Sequence, residues 1–67
     1  MKIRYFTQTD TLLITLSDRD ILETRDLTEN VLIDVDKEGK PVSITIEHAQ
    51  GIANLDEFSY QQITSGR

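Results

Sequence analysis

The sequence predicts an α+β fold: a small antiparallel β-meander of four to five strands, covered on one face by a C-terminal helix. Three observations carry this expectation. Val31–Asp36 and Val42–Glu47 both alternate apolar and polar residues around a turn that ends in Gly39. Lys2–Phe6 and Thr11–Leu16 form a second alternating pair. After Gly51 the period changes, and Ile52, Leu55, Phe58 and Ile63 fall within one helical arc. The 67 residues make one domain, with the meander over 1–48 and the helix over 52–65.

Taken in order, Lys2–Phe6 reads as a strand with Ile3 and Tyr5 inward. Thr7–Asp10 is a polar turn, and Thr11–Leu16 is a second strand with Leu12, Ile14 and Leu16 inward. A four-residue loop pairs Tyr5 with Leu12 and Ile3 with Ile14, which keeps both apolar sets on one side. Ser17–Asp20 is a turn. Ile21–Leu27 is a weaker strand, charged at Glu23, Arg25 and Asp26, and belongs at an edge of the sheet or in irregular structure.

The central hairpin follows. Val31, Ile33 and Val35 share one face, as do Val42, Ile44 and Ile46. A loop of Asp36-Lys37-Glu38-Gly39 brings both sets to the same side, setting Ile33 against Val42 and Val31 against Ile44. Asp36 starts such a turn and Gly39 supplies a positive φ at its end. Pro41 then lies opposite Asp34, with its missing N–H directed away from this partner. In the tail, Asn54 as cap and Glu57 three residues later mark a helix start over about Leu55–Thr64, with Phe58 anchoring the helix to the sheet.

Bulk properties exclude several classes. Seven basic and twelve acidic residues give a net charge of −5, which opposes sequence-independent binding to nucleic acid. The chain contains no cysteine, so no disulfide framework is expected. Neither a signal peptide nor a membrane span is expected, and the cytoplasm is the expected compartment. For a chain of this size, burial of apolar surface roughly balances the entropy of ordering it, which makes a lone monomer marginal. Association is the remaining remedy, most simply as a two-fold homodimer, and a small basic protein is the other partner that the charge suits. Leu13 and Leu32, pointing away from the helix-covered side, and Tyr60 at the rim of the helical stripe are the candidate interface residues.

In order and spacing, several segments form one pattern: Met1-Lys2-Ile3-Arg4-Tyr5, Leu12 to Asp18, Glu23-Thr24 with Leu27, Val31 to Asp36, Gly39, and Val42 to Ile46. Together they resemble the short prokaryotic proteins of the domain-of-unknown-function family numbered 2283. The likeness covers roughly the first 50 residues. The chain departs from the family pattern at Phe6, where Asp is common, and at Ser43, Thr45 and Glu47 in the last strand. The resemblance implies a small strand-rich fold and no established activity. It also implies a likeness to partners of small toxin-like proteins encoded beside them.

Chemistry-bearing residues are sparse. Asp34-Val35-Asp36-Lys37-Glu38-Gly39 imitates the opening of a calcium loop, but Thr45 stands where the closing bidentate Glu belongs. The segment reads as a turn, and no metal is expected there. His48, the sole histidine, continues the inward parity of Ile44 and Ile46 and reads as a packed residue at the sheet's inner margin. Ser17 and Ser59 lack a neighbouring base, and Tyr5, Phe6, Phe58 and Tyr60 are too scattered for base stacking. No catalytic residue, cofactor site or enzymatic activity is expected. The function expected is a protein–protein interaction module, of which an antitoxin-like neutraliser is one form. A structural homo-oligomer is the alternative, and a small-ligand binder follows behind both.

Overall fold

Three of the four steps between consecutive strands are antiparallel hairpins, and the fourth is a crossover. The computed structural model describes residues 1–66. Strand β1 spans Lys2–Phe6, β2 Thr11–Thr15, β3 Glu23–Thr28, β4 Val31–Val35 and β5 Pro41–Glu47, followed by one 3-10 turn at Ala49–Gly51. All five strands form one sheet in the order β1-β2-β5-β4-β3, with every neighbouring pair antiparallel. The meander β3–β4–β5 therefore receives the β1–β2 hairpin against β5, and β3 lies at the far edge.

The first hairpin has the expected register, with Tyr5 opposite Leu12 and Ile3 opposite Ile14. The central hairpin keeps its turn but not its register. The Gly39 amide donates to the Asp36 carbonyl at 2.9 Å, and Gly39 has φ +82°. The Asp36 amide, however, donates to the Lys40 carbonyl at 2.9 Å, which extends the loop by a residue. A bulge then separates Val35 opposite Pro41 from Asp34 opposite Ser43. Beyond it Ile33 faces Ile44 and Val31 faces Ile46. This is two residues from the pairing predicted, and Pro41 is not opposite Asp34. A shift of two leaves every side chain on its original face, so the alternation pattern is blind to it.

The expected C-terminal helix is absent, and with it the α+β class. Among the described residues the only helical piece is the 3-10 turn, and 52–66 contain no regular structure. The Ala53 amide donates to the Ala49 carbonyl at 2.8 Å, and the Asp56 amide to Asn54 Oδ1 at 3.1 Å, so a turn and a cap-like contact form without propagating. Ten residues make a marginal helix unless packing supports them. Here Phe58 and Ile63 are 68% and 83% exposed, and no basic residue lies within four positions after Asp56 or Glu57 to form a helix-stabilising pair. Phe58 is not an anchor, and Tyr60, 75% exposed, is not the rim of a helical stripe.

With no helix above it, the sheet is a single layer. Extensive contacts between elements are confined to neighbouring strands. Among the described residues only Val35, Val42 and Ala49 are buried apolar residues. The two valines mark the end where the β2–β3 crossover passes. There the Leu16 amide donates to the Val42 carbonyl and the Leu22 amide to the Val35 carbonyl, both at 2.8 Å. Arg19 fastens the crossover, its Nε donating to Asp36 at 2.8 Å and its Nη2 to the Pro41 carbonyl at 2.7 Å.

Candidate functional site

The two faces of the sheet differ sharply in chemistry. Register places Ile3, Ile14, Ile44 and Ile33 side by side across β1, β2, β5 and β4. A second row, Tyr5, Leu12, Ile46 and Val31, runs parallel to the first. Neighbours within a row stand roughly 5 Å apart, close enough for each to shield the next. All eight are consequently half-buried, although among the described residues no helix or second sheet packs over them.

This apolar face has two distinct borders. At the β3 margin Arg25 lies opposite Ile33, and its Nε donates to Glu23 at 2.9 Å. The hydrogen bond and charge of Arg25 hold the Glu23 carboxyl below its ordinary pKa, and Glu23 raises that of Arg25 in return. At the β1 margin the tail follows the strand. Gln50, Ala53, Asn54, Leu55 and Asp56 line a shallow cavity with Tyr5, and Phe58 and Tyr60 line another with Met1 and Ile3.

The opposite face is polar. Leu13 and Leu32 lie on it, one on each side of Thr45. Around them stand Thr11, Thr15, Ser43 and Thr24, and the Ser43 and Thr24 hydroxyls both donate to the Asp34 carboxylate. The structure thus brings two of the three candidate interface residues together among hydroxyl groups. It places Tyr60 elsewhere, beside Ile3 on the apolar side.

The end of the sheet remote from the Asp36 turn is a clasp of three loops. Tyr5 donates its hydroxyl to Asp10 Oδ1 at 2.7 Å, an interaction that raises the tyrosine pKa. Asp10 also accepts the Gln50 amide on that oxygen at 3.1 Å and the Ala49 amide on its carbonyl at 3.0 Å. Asp10 and His48 hold φ of 55° and 56°, a region that non-glycine residues occupy when hydrogen bonds over-determine it. His48 is therefore turned out of β5 rather than continuing its inward parity, and it is exposed, not packed at the inner margin. Its Nδ1 lies 2.9 Å from Asn30 Oδ1, while the Asn30 carbonyl accepts the Glu47 amide at 2.7 Å. The His48 side chain and the Glu47 amide thus both tie the end of β5 to Asn30 in the β3–β4 turn.

Asp36, largely buried at 6% exposure, belongs to the opposite end. The Lys40 amide, with the Glu38 amide and Arg19, holds its carboxyl below the ordinary carboxylate value. Asp34 and Asp36 are thus engaged by separate sets of donors and do not converge on one point. Among the described residues no group of three or more His, Asp or Glu side chains is placed to hold a metal. The inward sets of both hairpins were legible in the alternation pattern, whereas the role of Arg19 was not, because nothing local distinguishes it from any other turn cation.

The family model described as "Protein of unknown function (DUF2283)" matches residues 2–50, which contain the whole sheet. No curated protein and no solved structure matches the chain.

Proposed function

Because the chain belongs to the DUF2283 family of proteins of unknown function, with the entire sheet inside the matched region, we propose that this sheet is a protein–protein interaction module. Its working surface is the apolar face. One observation carries the reading: two rows of mostly aliphatic side chains cross four strands, and among the described residues no further layer packs over them. Sheets with one apolar face are stable when something covers it. Contiguous apolar surface of this kind marks an interaction site.

An antitoxin-like neutraliser of a small basic protein is the narrower form of this proposal. The chain's net charge of −5, with Asp18 and Asp20 exposed on the crossover, supports a basic partner. A structural homo-oligomer is the alternative within the same surface. The reading involves no catalytic step and no cofactor, and it places the protein in the cytoplasm. Among the described residues no helix is long and apolar enough to cross a membrane.

Tyr5 and Phe6 provide a matched test. They are adjacent aromatic residues of β1 on opposite faces, Tyr5 in an apolar row and Phe6 on the polar side opposite Thr11. p-Azidophenylalanine in place of each, photolysed in intact cells, should crosslink to protein from position 5 and much less from position 6. Absence of a protein adduct at position 5, or equal yields from both, overturns the reading.

A further inference from the structure

We propose that β3 pairs edge to edge with β3 of a second copy of this chain, antiparallel about a two-fold axis at Thr24, which joins the two sheets into one. The surface is the edge of the sheet and is separate from the apolar face. β3 ends the strand order β1-β2-β5-β4-β3, and all its residues are exposed. At the other edge the tail runs beside β1, Leu55 lining a cavity with Tyr5 and Phe58 another with Ile3. The register shows which backbone groups β3 presents. The Glu47 amide donates to the Asn30 carbonyl at 2.7 Å, so Asn30 turns its hydrogen-bonding groups towards β5. Successive residues of an antiparallel strand turn theirs to opposite sides, which directs those of Val31 and Ile33 towards β3. Ile33 lies opposite Arg25, so Arg25 bonds back to β4, while Thr24 and Asp26 point N–H and C=O outwards. Such a row is a template for a further strand.

The side chains select a second copy as the strand that is added, because Ile21-Leu22-Glu23-Thr24-Arg25-Asp26-Leu27 complements its own reversed order. Turned about Thr24, it sets Thr24 against itself, Glu23 against the partner's Arg25, Leu22 against the partner's Asp26 and Ile21 against the partner's Leu27. Axes at Glu23, Arg25 or Asp26 each set two like charges directly opposite, which is unfavourable. Ile21 and Leu27, 52% and 58% exposed, gain apolar neighbours at both ends of the contact. β1 carries only cations, Lys2 and Arg4, so no axis along it pairs opposite charges. Within one chain Arg25 already bonds Glu23 at 2.9 Å, and across the axis each pair meets its equivalent. Exposed ion pairs add little affinity; they choose the register, and the backbone bonds with the Ile21 and Leu27 contacts hold it. A two-fold axis of this kind keeps each face on its own side, so the two apolar faces become one continuous surface.

Charge reversal tests the pairing between molecules. The full-length wild-type protein should sediment at twice the chain mass at high micromolar concentration. Glu23→Arg leaves only cations where the strands cross and Arg25→Glu only anions, so each should dissociate about tenfold or more readily, the change counting twice across the axis. Mixed in equal amounts, the two variants should form a heterodimer as tight as the wild-type dimer, since each supplies the charge that the other lacks. An ion pair confined to one strand cannot be restored by mixing. Both positions are exposed, and circular dichroism should show the strands retained. Should either variant fail to fold, Thr24→Cys and Thr28→Cys give a second reading in a chain that has no other cysteine. Under a mild oxidant Thr24→Cys should form an inter-chain disulfide about tenfold faster than Thr28→Cys, because the axis brings the two Cα atoms at position 24 to about 5.5 Å. Monomer mass for wild type, variants that remain apart on mixing, or equal oxidation rates overturn the proposal. A dimer that Glu23→Arg leaves intact also overturns it and assigns self-association to another surface. The crosslink from position 5 reads the apolar face and stands or falls separately from all of these.

Discussion

Gly39→Ala isolates the backbone cost of one turn. Gly39 has φ +82°, and a Cβ built at this position meets nothing within 4 Å. Steric clash with neighbours therefore contributes nothing, and only the conformation itself is penalised. An L-residue in this region loses roughly 1–2 kcal/mol relative to glycine. Alanine also narrows the unfolded ensemble, which returns about 0.4–1 kcal/mol. The net expectation is a loss of about 1 kcal/mol, or a Tm lower by about 4–8 °C for a domain of this size. Gly39→Asn should lose less, since asparagine tolerates positive φ better than alanine. Thermal melts followed by circular dichroism, all at one protein concentration, provide the measurement. A Tm for Gly39→Ala within a degree of wild type would refute the reasoning, as would an asparagine variant less stable than the alanine one.

Three further outcomes are expected. Val42 is 3% exposed, and Val42→Ala should cost about 2 kcal/mol from two lost methyl groups and the space they leave, read as a lower urea midpoint with an unchanged slope. Asp36, whose pKa is depressed in the fold, contributes stability that is complete above the unfolded value of about 4 and is lost as pH falls through the lower folded value. Urea midpoints of wild type and Asp36→Asn should accordingly differ by a constant above that pH and converge below it, and parallel curves across the acid range would contradict the assignment. A chain ending at Ala53 retains all five strands and the closing turn, so its far-ultraviolet circular dichroism per strand residue should match that of the full chain, and collapse of the strand signal would show the tail to be part of the fold.

The alternation of apolar residues was sufficient to determine which residues share a face. Ile3 and Tyr5, Leu12 and Ile14, Val31 and Ile33, and Ile44 and Ile46 are all on one side. It also placed the Asp36–Gly39 turn, whose glycine has the positive φ that the position requires, while the charges of the third strand left it between a sheet edge and irregular structure, of which the fold takes the edge. These features are local, or depend only on a period of two, and short-range sterics and hydrophobicity dictate them. Tertiary structure decided the rest. The Asp34/Val35 bulge chose between registers two residues apart that pattern alone holds equivalent. The crossover, pinned by Arg19 to Asp36 seventeen positions away, carried β3 to the far edge and left β5 to pair with β2. The tail illustrates the same limit from the other side. Asn54 and the stripe of Leu55, Phe58 and Ile63 satisfy the local rules for a helix, but a segment this short depends on packing to remain helical, and nothing in the fold receives it. What the sequence wrote as a buried inner face is, in the folded chain, an open one, because burial is a property of the layer that covers a sheet and not of the strands that compose it.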